Sequence, residues 1–151
     1  MWESTIAAQA CRLLELHEGR RNKPYLDTVG KETIGIGFNL TDVGLLDDEI
    51  DVILRMRLGK LYIALSKALP WFDTLDQVRQ LVLLDMSYNM GMEPFDNDKI
   101  KDWPNFLQQI KTKQYTAAAE NMLTTKWAKQ VGSRAKRLAD MMRTGESWEK
   151  S

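Results

Sequence analysis

A single strand-like segment in an otherwise helical sequence restricts the fold most. KPYLDT reads as a short strand, VGK as a turn, and ETIGIGF alternates between two faces. The alternation puts Gly35 and Gly37 on one face with Thr33, and an apolar, core-seeking set on the other: Ile34, Ile36 and Phe38. A glycine inside a strand marks either a close approach by a ligand or another chain, or a bulge or bend. The pattern alone leaves both open.

The glycines of DTVGKETIGIG do not form a nucleotide site. A phosphate-binding loop needs Gly-Lys followed by Ser or Thr, but Lys31 is followed by Glu32. The dinucleotide fingerprint needs another glycine three residues after Gly37, and that position is Leu40. Both nucleotide readings therefore fail on spacing.

The first segment predicts a helix that Ser4 caps and Gly19 ends. Glu18 then falls in the last turn or on the cap, where the helix dipole disfavours a carboxylate. Such a placement against local preference indicates another role for this side chain. Cys11 reads as a small core residue, and His17 as a residue of the buried or boundary face.

From Asp47 the pattern is helical to the end of the chain, and no repeat or flexible linker interrupts it. The residues expected to begin or end helices are Asp47, Pro70, the capping box Thr74–Gln77, Gly91, Pro104, Ser133 and Gly145. Shorter helices are expected at 116–123 and 125–130, and a polar, acidic loop at 93–102. The sequence thus predicts a helical domain with one small β-hairpin near its start.

Composition narrows the functional classes. Net charge is zero over 151 residues, so bulk charge favours neither nucleic acid nor a membrane surface. The segment 121–151 is basic, which suits either a solvated helix face or an anionic polymer. One cysteine and one histidine predict no internal disulfide, no metal site and no cofactor. We also expect no signal peptide and no membrane-spanning segment.

Glu18 and Asp27 form the acid pair with most chemical meaning, and Thr33 follows them on the hairpin. Cleavage of a glycosidic bond needs one protonated carboxyl and one ionised carboxylate. A helix end beside a hairpin can give two carboxyls different environments. Two surface carboxylates without a role would look the same in a sequence with 21 acidic residues.

The stretch LLELHEGRRNKPYLDTVGKETIGIGFNL resembles the phage-type lysozymes, the endolysins and muramidases of glycoside hydrolase family 24. That family has Glu-Gly at the end of a first helix, an Asp eight residues after the glycine, and then Thr-Ile-Gly-Ile-Gly. The same elements stand at Glu18-Gly19, Asp27 and 33–37. The resemblance continues at 73–91, 124–130 and 133–145. It implies an α+β, mainly helical, two-lobed fold.

The resemblance implies a single domain over 1–151, with a small lobe at about 20–46 and a helical lobe from 1–19 and 47–151. It implies that Glu18 is the general acid, Asp27 the carboxylate across the sugar, and Thr33 the hydroxyl that helps to hold the attacking water. Arg134 matches the arginine that lies against the catalytic glutamate. Gly35 and Gly37 would then make room for a sugar ring.

Four further residues match positions that face the saccharide in the family: Asn39, Tyr88, Asn89 and Asn121. An aromatic ring suits a sugar face, and an amide suits an acetamido group or a peptide. Tyr88 could equally pack in the core, and Asn121 could be merely exposed. Arg137 could serve the fold, and His17 could tune Glu18. Phe38 and the segment 93–102 depart from the family pattern.

The resemblance implies a muramidase that cleaves β-1,4 bonds between N-acetylmuramic acid and N-acetylglucosamine, with inversion at the anomeric carbon. Alternatives are a non-hydrolytic wall-binding or virion-tail module, a chitinase, and a lytic transglycosylase. The expected partner is bacterial peptidoglycan, without nucleic acid or stable membrane insertion, and the expected state is a monomer. The enzyme would wait in the host cytoplasm until released to the wall, or arrive within a virion tail.

Overall fold

The computed structural model describes residues 6–96, 103 and 105–149. The fold is α+β and mainly helical, with one three-stranded antiparallel sheet, so the predicted fold class is confirmed. The chain divides into two compact units, one up to Ile53 and the other from Leu54 onwards. In the described part of the chain, no helix is both long and apolar enough to cross a membrane.

Among the described residues, the first unit contains one helix, three strands and the start of a second helix, and the remaining helices belong to the second unit. In order, the elements of the first unit are α1 (Ala7–Glu18), β1 (Arg21–Leu26), β2 (Glu32–Gly35), β3 (Phe38–Asn39) and the start of α2 (Asp47–Ala68). A short 3-10 turn (Phe72–Thr74) follows α2, and then α3 (Gln77–Met90), α4 (Glu93–Asp96), α5 (Phe106–Lys111), α6 (Tyr115–Leu123), α7 (Lys126–Val131) and α8 (Ser133–Thr144).

Helix α1 ends where the sequence predicts. Gly19 adopts φ 74° and its N–H donates to the Glu15 carbonyl at 2.9 Å, so Glu18 is the last helical residue. The burial expectation was wrong: α1 has no buried residue, and both Cys11 and His17 are exposed. Periodicity identifies residues that share a helix face, but it does not show that a neighbour covers that face. Ser4 lies outside the described residues.

The segment ETIGIGF is not one strand. β2 ends at Gly35, a turn follows, and β3 begins at Phe38, so the hairpin gains a third strand. The register pairs Tyr25 with Thr33 on one side of β2, and Thr33 with Asn39 on the other. Gly35 and Gly37 adopt φ 68° and 70°, which reverses the chain. The bend reading of the glycines is therefore confirmed.

Reversal of the chain also breaks the expected alternation of faces. Phe38 was expected on the core-seeking face, but its side chain is 53% exposed. Thr33 is instead the buried residue, at 4% exposure. Among the described residues of the first unit no other is buried, so this unit is held by strand pairing and turn hydrogen bonds more than by an apolar core.

Two predicted helix caps were misplaced. Asp76, not Thr74, caps α3: its Oδ1 accepts from the Arg79 N–H at 3.0 Å, while Thr74 donates to the Trp71 carbonyl in the preceding turn. At α8 the capping position is Gly132, and Ser133 is the first helical residue. The acidic segment begins with helix α4 rather than a loop, and Pro104 and residues 97–102 lie outside the described residues.

The second unit contains the apolar core. Helix α8 packs on α3, α6 and α7, and α5 packs on α6. The buried apolar residues are Leu65, Leu69, Phe72, Val82, Leu83, Met86, Phe95, Trp103, Phe106, Leu107, Ile110, Ala118, Ala119, Met122, Trp127, Ala135, Leu138, Ala139, Met141 and Met142. This burial stabilises the helices that carry the candidate binding residues described below.

Arg79 joins three helices at the end of this core. Its Nε donates to the Met142 carbonyl at 2.7 Å and its Nη2 to the Arg143 carbonyl at 3.1 Å, which satisfies the open C-terminus of α8. Its Nη1 donates to Asp76 Oδ2 at 2.9 Å, and its guanidinium lies 3.5 Å from the centre of the Tyr115 ring. The planar fork of arginine suits all these contacts at once.

We expect Arg79→Ala to lower the free energy of unfolding by about 2–4 kcal/mol, because two carbonyl groups lose charged donors. Arg79→Lys should recover only part of this loss, since an ammonium group cannot reproduce the fork. Urea denaturation measures both effects. The exposed Arg57→Ala is the control, and a loss as large as that of Arg79→Ala would contradict the assignment.

Asp76 makes the free energy of unfolding depend on pH in the acid range. Burial alone would raise the pKa of Asp76, but hydrogen bonds from the side chain and backbone of Arg79, with its charge, lower the pKa below the ordinary 3.8. A carboxyl with a depressed folded pKa stabilises the protein above its unfolded pKa, and this stability is lost as pH falls through the folded pKa.

We expect Asp76→Asn, which can still cap the helix, to be less stable than the wild type by a constant amount near neutral pH. The difference should shrink as pH falls below about 4, where the wild-type carboxyl becomes protonated. Urea denaturation at a series of pH values gives this difference. A gap that stays constant into strong acid would show that Asp76 has no lowered pKa.

Candidate active site

The carboxylate of Glu18 lies against the turn between β2 and β3. A Cβ atom placed on Gly37 would stand 2.7 Å from Glu18 Oε2 and 2.8 Å from its Cδ. The missing side chain of Gly37 is thus the space that the glutamate occupies. Glu18 is otherwise exposed, so its carboxyl group can reach a ligand from the helix end.

Glu15 and Arg20, which lie on either side of Glu18 in the sequence, form an ion pair. Arg20 donates from Nε to Glu15 Oε1 at 2.6 Å and from Nη2 to Oε2 at 3.1 Å. The hydrogen bond from Arg20 holds the pKa of Glu15 below its ordinary value against the opposing effect of desolvation, and the charge of Arg20 also lowers this pKa. Both side chains are exposed, so the pair adds little to overall stability. It does link the last turn of α1 to the residue before β1.

Asp27 is held in the turn between β1 and β2. Its Oδ1 accepts from the backbone N–H of Val29 at 3.0 Å and of Lys31 at 2.8 Å. Its own N–H donates to the Lys31 carbonyl at 2.9 Å, and Gly30, with φ 82°, donates to the Asp27 carbonyl. Oδ2 accepts no hydrogen bond from any described residue. One carboxylate oxygen therefore orients the group and the other remains available.

Thr33 is connected to Asp27 through the backbone of Lys31. The Thr33 hydroxyl donates to the Lys31 carbonyl at 3.0 Å, the same residue whose N–H binds Asp27. Since a hydroxyl has one proton and two lone pairs, Thr33 retains the capacity to accept a hydrogen bond. Asp27 and Thr33 are thus linked through Lys31 on one short segment of the chain.

Asn39 pairs with Thr33 across the sheet, and its amide is engaged by Asp42. The Asp42 N–H donates to Asn39 Oδ1 at 2.9 Å, and Asn39 Nδ2 donates to Asp42 Oδ2 at 3.1 Å. Lys31 Nζ lies 3.0 Å from the other oxygen of Asp42. Asn39 is therefore fixed in place, and one N–H of its amide remains for another acceptor.

Tyr88 and Asn89 lie at the end of α3 in the second unit. Tyr88 is 47% exposed, so the alternative of core packing was wrong. Asn89 Oδ1 accepts from the indole Nε1 of the buried Trp127 at 2.9 Å. This bond sets the orientation of the Asn89 amide and leaves its NH₂ group to donate elsewhere.

Asn121 and Arg134 also belong to the second unit. Asn121 is partly buried and its Nδ2 donates to Gln109 Oε1 at 3.2 Å, so it is not merely exposed. Arg134, near the start of α8, donates from Nε to Asp85 Oδ1 at 2.8 Å. Arg137 lines the same mainly apolar cavity of about 380 Å³ as Arg134.

Side chains of the protein lie beside both glycines. A Cβ on Gly35 would stand 2.6 Å from two atoms of the Phe38 ring, as one on Gly37 would meet Glu18. Room for a sugar ring at these glycines stays a prediction. Within 6–96, 103 and 105–149, no three His, Cys, Asp or Glu side chains are grouped as metal ligands would be.

Sequence reasoning missed the partners of the candidate residues. Lys31 contributes through its backbone, and a main-chain contact leaves no residue-type signal. Asp85 contacts Arg134 and Trp127 contacts Asn89 across many intervening residues. Trp127 stands inside the motif TTKWAKQ, but the motif does not indicate what the indole binds.

We expect Asp27→Ala to lower the free energy of unfolding by about 1–2 kcal/mol, because two backbone N–H groups of the turn lose their acceptor. Asp27→Asn keeps an oxygen that can accept both bonds, so it should cost much less. Urea denaturation, with amide hydrogen exchange at Val29 and Lys31, measures this difference. Equal losses would show that Oδ1 does not hold the turn.

A comparison with known protein families gives a match that covers most of the chain. The family described as phage lysozyme matches residues 15–144. The match begins within α1 and ends with the last residue of α8. It therefore includes every candidate residue described above.

Proposed function

Because the chain belongs to the phage lysozyme family, we propose that it is an N-acetylmuramidase of glycoside hydrolase family 24. It hydrolyses the β-1,4 bond between N-acetylmuramic acid and N-acetylglucosamine. The family indicates a glycoside hydrolase that acts on peptidoglycan. The single observation that supports the finer assignment is the family match over 15–144, a range that includes Glu18, Asp27 and Thr33.

Glu18 is the proposed general acid. As the glycosidic bond breaks, the carboxyl proton moves to the leaving oxygen, which prevents the formation of an unstable alkoxide. Two features of the first unit support this role. The side chain projects from the end of α1, and its carboxyl group is exposed to an incoming ligand.

Asp27 and Thr33 are the proposed sites for the attacking water. One water proton is donated to Thr33 Oγ1, whose own proton already points to the Lys31 carbonyl. The other is donated to Asp27 Oδ2, because Oδ1 is taken by two backbone N–H groups. The water oxygen forms the new bond to the anomeric carbon while Asp27 accepts the proton. Attack from the face opposite the leaving group inverts that carbon.

The binding residues are proposed to recognise the sugar and its substituents. The exposed ring of Tyr88 offers a flat apolar surface to a sugar face. The NH₂ groups of Asn39 and Asn89 can donate to an acetamido or peptide carbonyl, because Asp42 and Trp127 already orient these amides. Asn121, held by Gln109, is proposed for the same kind of contact.

Arg134 is proposed as the supporting residue of the site. Its Nε donates to Asp85 Oδ1 at 2.8 Å, and this bond orients the guanidinium group.

The proposed place of action is the bacterial cell wall. A free endolysin released from the host cytoplasm and a lytic domain carried in a virion tail would perform the same reaction. The peptidoglycan chemistry is common to both routes.

We expect Glu18→Gln to lower lytic activity by about a thousandfold, since an amide has no acidic proton to transfer. The thermal midpoint of unfolding should stay close to that of the wild type. The assay is the fall in turbidity of chloroform-permeabilised Gram-negative cells. Glu32→Gln, which changes an exposed carboxylate of β2, is the control and should retain activity.

Product analysis separates the proposal from its alternatives. Mass spectrometry should find reducing N-acetylmuramic acid ends, whereas 1,6-anhydromuramyl ends would identify a lytic transglycosylase. NMR taken immediately after cleavage should show the α-anomer first if the carbon is inverted. Binding to the wall without any clearing by the wild type would instead indicate a non-hydrolytic module.

A further inference from the structure

We propose that Gly37 is a positioning residue for Glu18: the turn between β2 and β3 forms a seat for the glutamate carboxyl group that only a residue without a side chain leaves open. This rests on the proposed function in one respect, which is that Glu18 is the proton donor. The contact itself is independent of that role.

The seat is defined by three atoms of one side chain. A Cβ on Gly37 would stand 2.7 Å from Glu18 Oε2, 2.8 Å from Cδ and 3.0 Å from Cγ. The whole end of the glutamate, and not a single atom, therefore covers the Gly37 backbone. Helix α1 places the Cα of Glu18, and the turn limits where the carboxyl group can lie.

The seat matters because little else holds this carboxyl group within the first unit. Among the described residues up to Ile53, none forms a hydrogen bond or an ion pair with the Glu18 side chain. The neighbouring Glu15–Arg20 pair links the segments on both sides of Glu18 but does not bind its carboxyl group. Packing against Gly37 is thus the contact that selects its position.

Position is decisive for a proton donor. The carboxyl group must come within hydrogen-bond reach of the leaving oxygen, and a misplacement of about 1 Å can cost about a hundredfold in rate. A methyl group on residue 37 would displace the carboxyl group. The atoms that it would meet are the far end of a flexible side chain, which can rotate away without disturbing the core.

This flexibility predicts a separation of activity from stability. Alanine at a positive φ is strained wherever it occurs, and Gly37 has φ 70°. Rotation of Glu18 should add little further cost to folding. Gly37→Ala should therefore lose activity far beyond its loss of stability.

Gly44 provides the matched control. It lies in the same unit with φ 69°, and a Cβ placed on it would have no atom within 4 Å. Gly44→Ala thus carries the same backbone strain without any contact to Glu18. Comparison of the two variants isolates the effect of the seat from the effect of strain.

We expect the kcat of Gly37→Ala on purified peptidoglycan to fall about a hundredfold with KM unchanged, while Gly44→Ala keeps the kcat of the wild type. The two variants should have similar thermal midpoints. In protein labelled with ¹³C at glutamate carboxyl carbons, the Glu18 signal, assigned by its absence in Glu18→Gln, should move in Gly37→Ala and stay in place in Gly44→Ala.

A Gly37→Ala variant that keeps the kcat of Gly44→Ala, or leaves the Glu18 signal in place, would overturn the seat. A wild type that hydrolyses nothing would overturn the proposed function, and the carboxyl signal would still decide the contact. If alanine at 37 prevents folding, Gly37→Asn and Gly44→Asn replace the pair, because asparagine tolerates positive φ better.

Discussion

The arrangement of the first unit depends on the reversal of the chain at Gly35 and Gly37. These two positive-φ glycines, separated only by Ile36, lie between β2 and β3 and remove two side chains from the inside of the turn. The vacated volume is filled by Phe38 on one side and Glu18 on the other. A single backbone constraint thus connects the sheet to the end of α1. The glycines allow the protein's own carboxylate to approach the main chain.

Much of the helical framework could be predicted from local signals. Gly19, Gly91 and Gly145 end α1, α3 and α8 as expected, because a glycine accepts the conformation that a helix end requires. The predicted cap of α3 was wrong because the segment before this helix offers two candidate capping residues. Thr-Leu-Asp-Gln contains two residues able to cap a helix, and Asp76 also gains a salt bridge with Arg79. This salt bridge joins residues only three positions apart, but Arg79 is also held by the Met142 and Arg143 carbonyls of α8. Those tertiary contacts are absent from a local pattern.

The sequence proposes residues for the candidate site but not the contacts between them. The family resemblance points to Glu18, Asp27 and Thr33, whose spacing is short and ungapped, and their roles stay predictions. Asp27 and Thr33 are connected by hydrogen bonds to the main chain of Lys31. Any residue except proline could make the same two bonds at that position. The contacts of Asn89 with Trp127 and of Arg134 with Asp85 need helices that fold back on one another. Their geometry follows from packing and not from local sequence.

The uneven distribution of burial has a thermodynamic consequence. The heat-capacity increase on unfolding comes mainly from newly exposed apolar surface, and the buried apolar residues belong to the second unit. Among its residues from 6 to 53, the first unit buries Thr33 alone and relies mainly on directional hydrogen bonds. The second unit therefore determines how strongly the free energy of unfolding curves with temperature. The first unit, with the proposed acid and base, adds little to that curvature, so its own stability changes with temperature in a more nearly linear way.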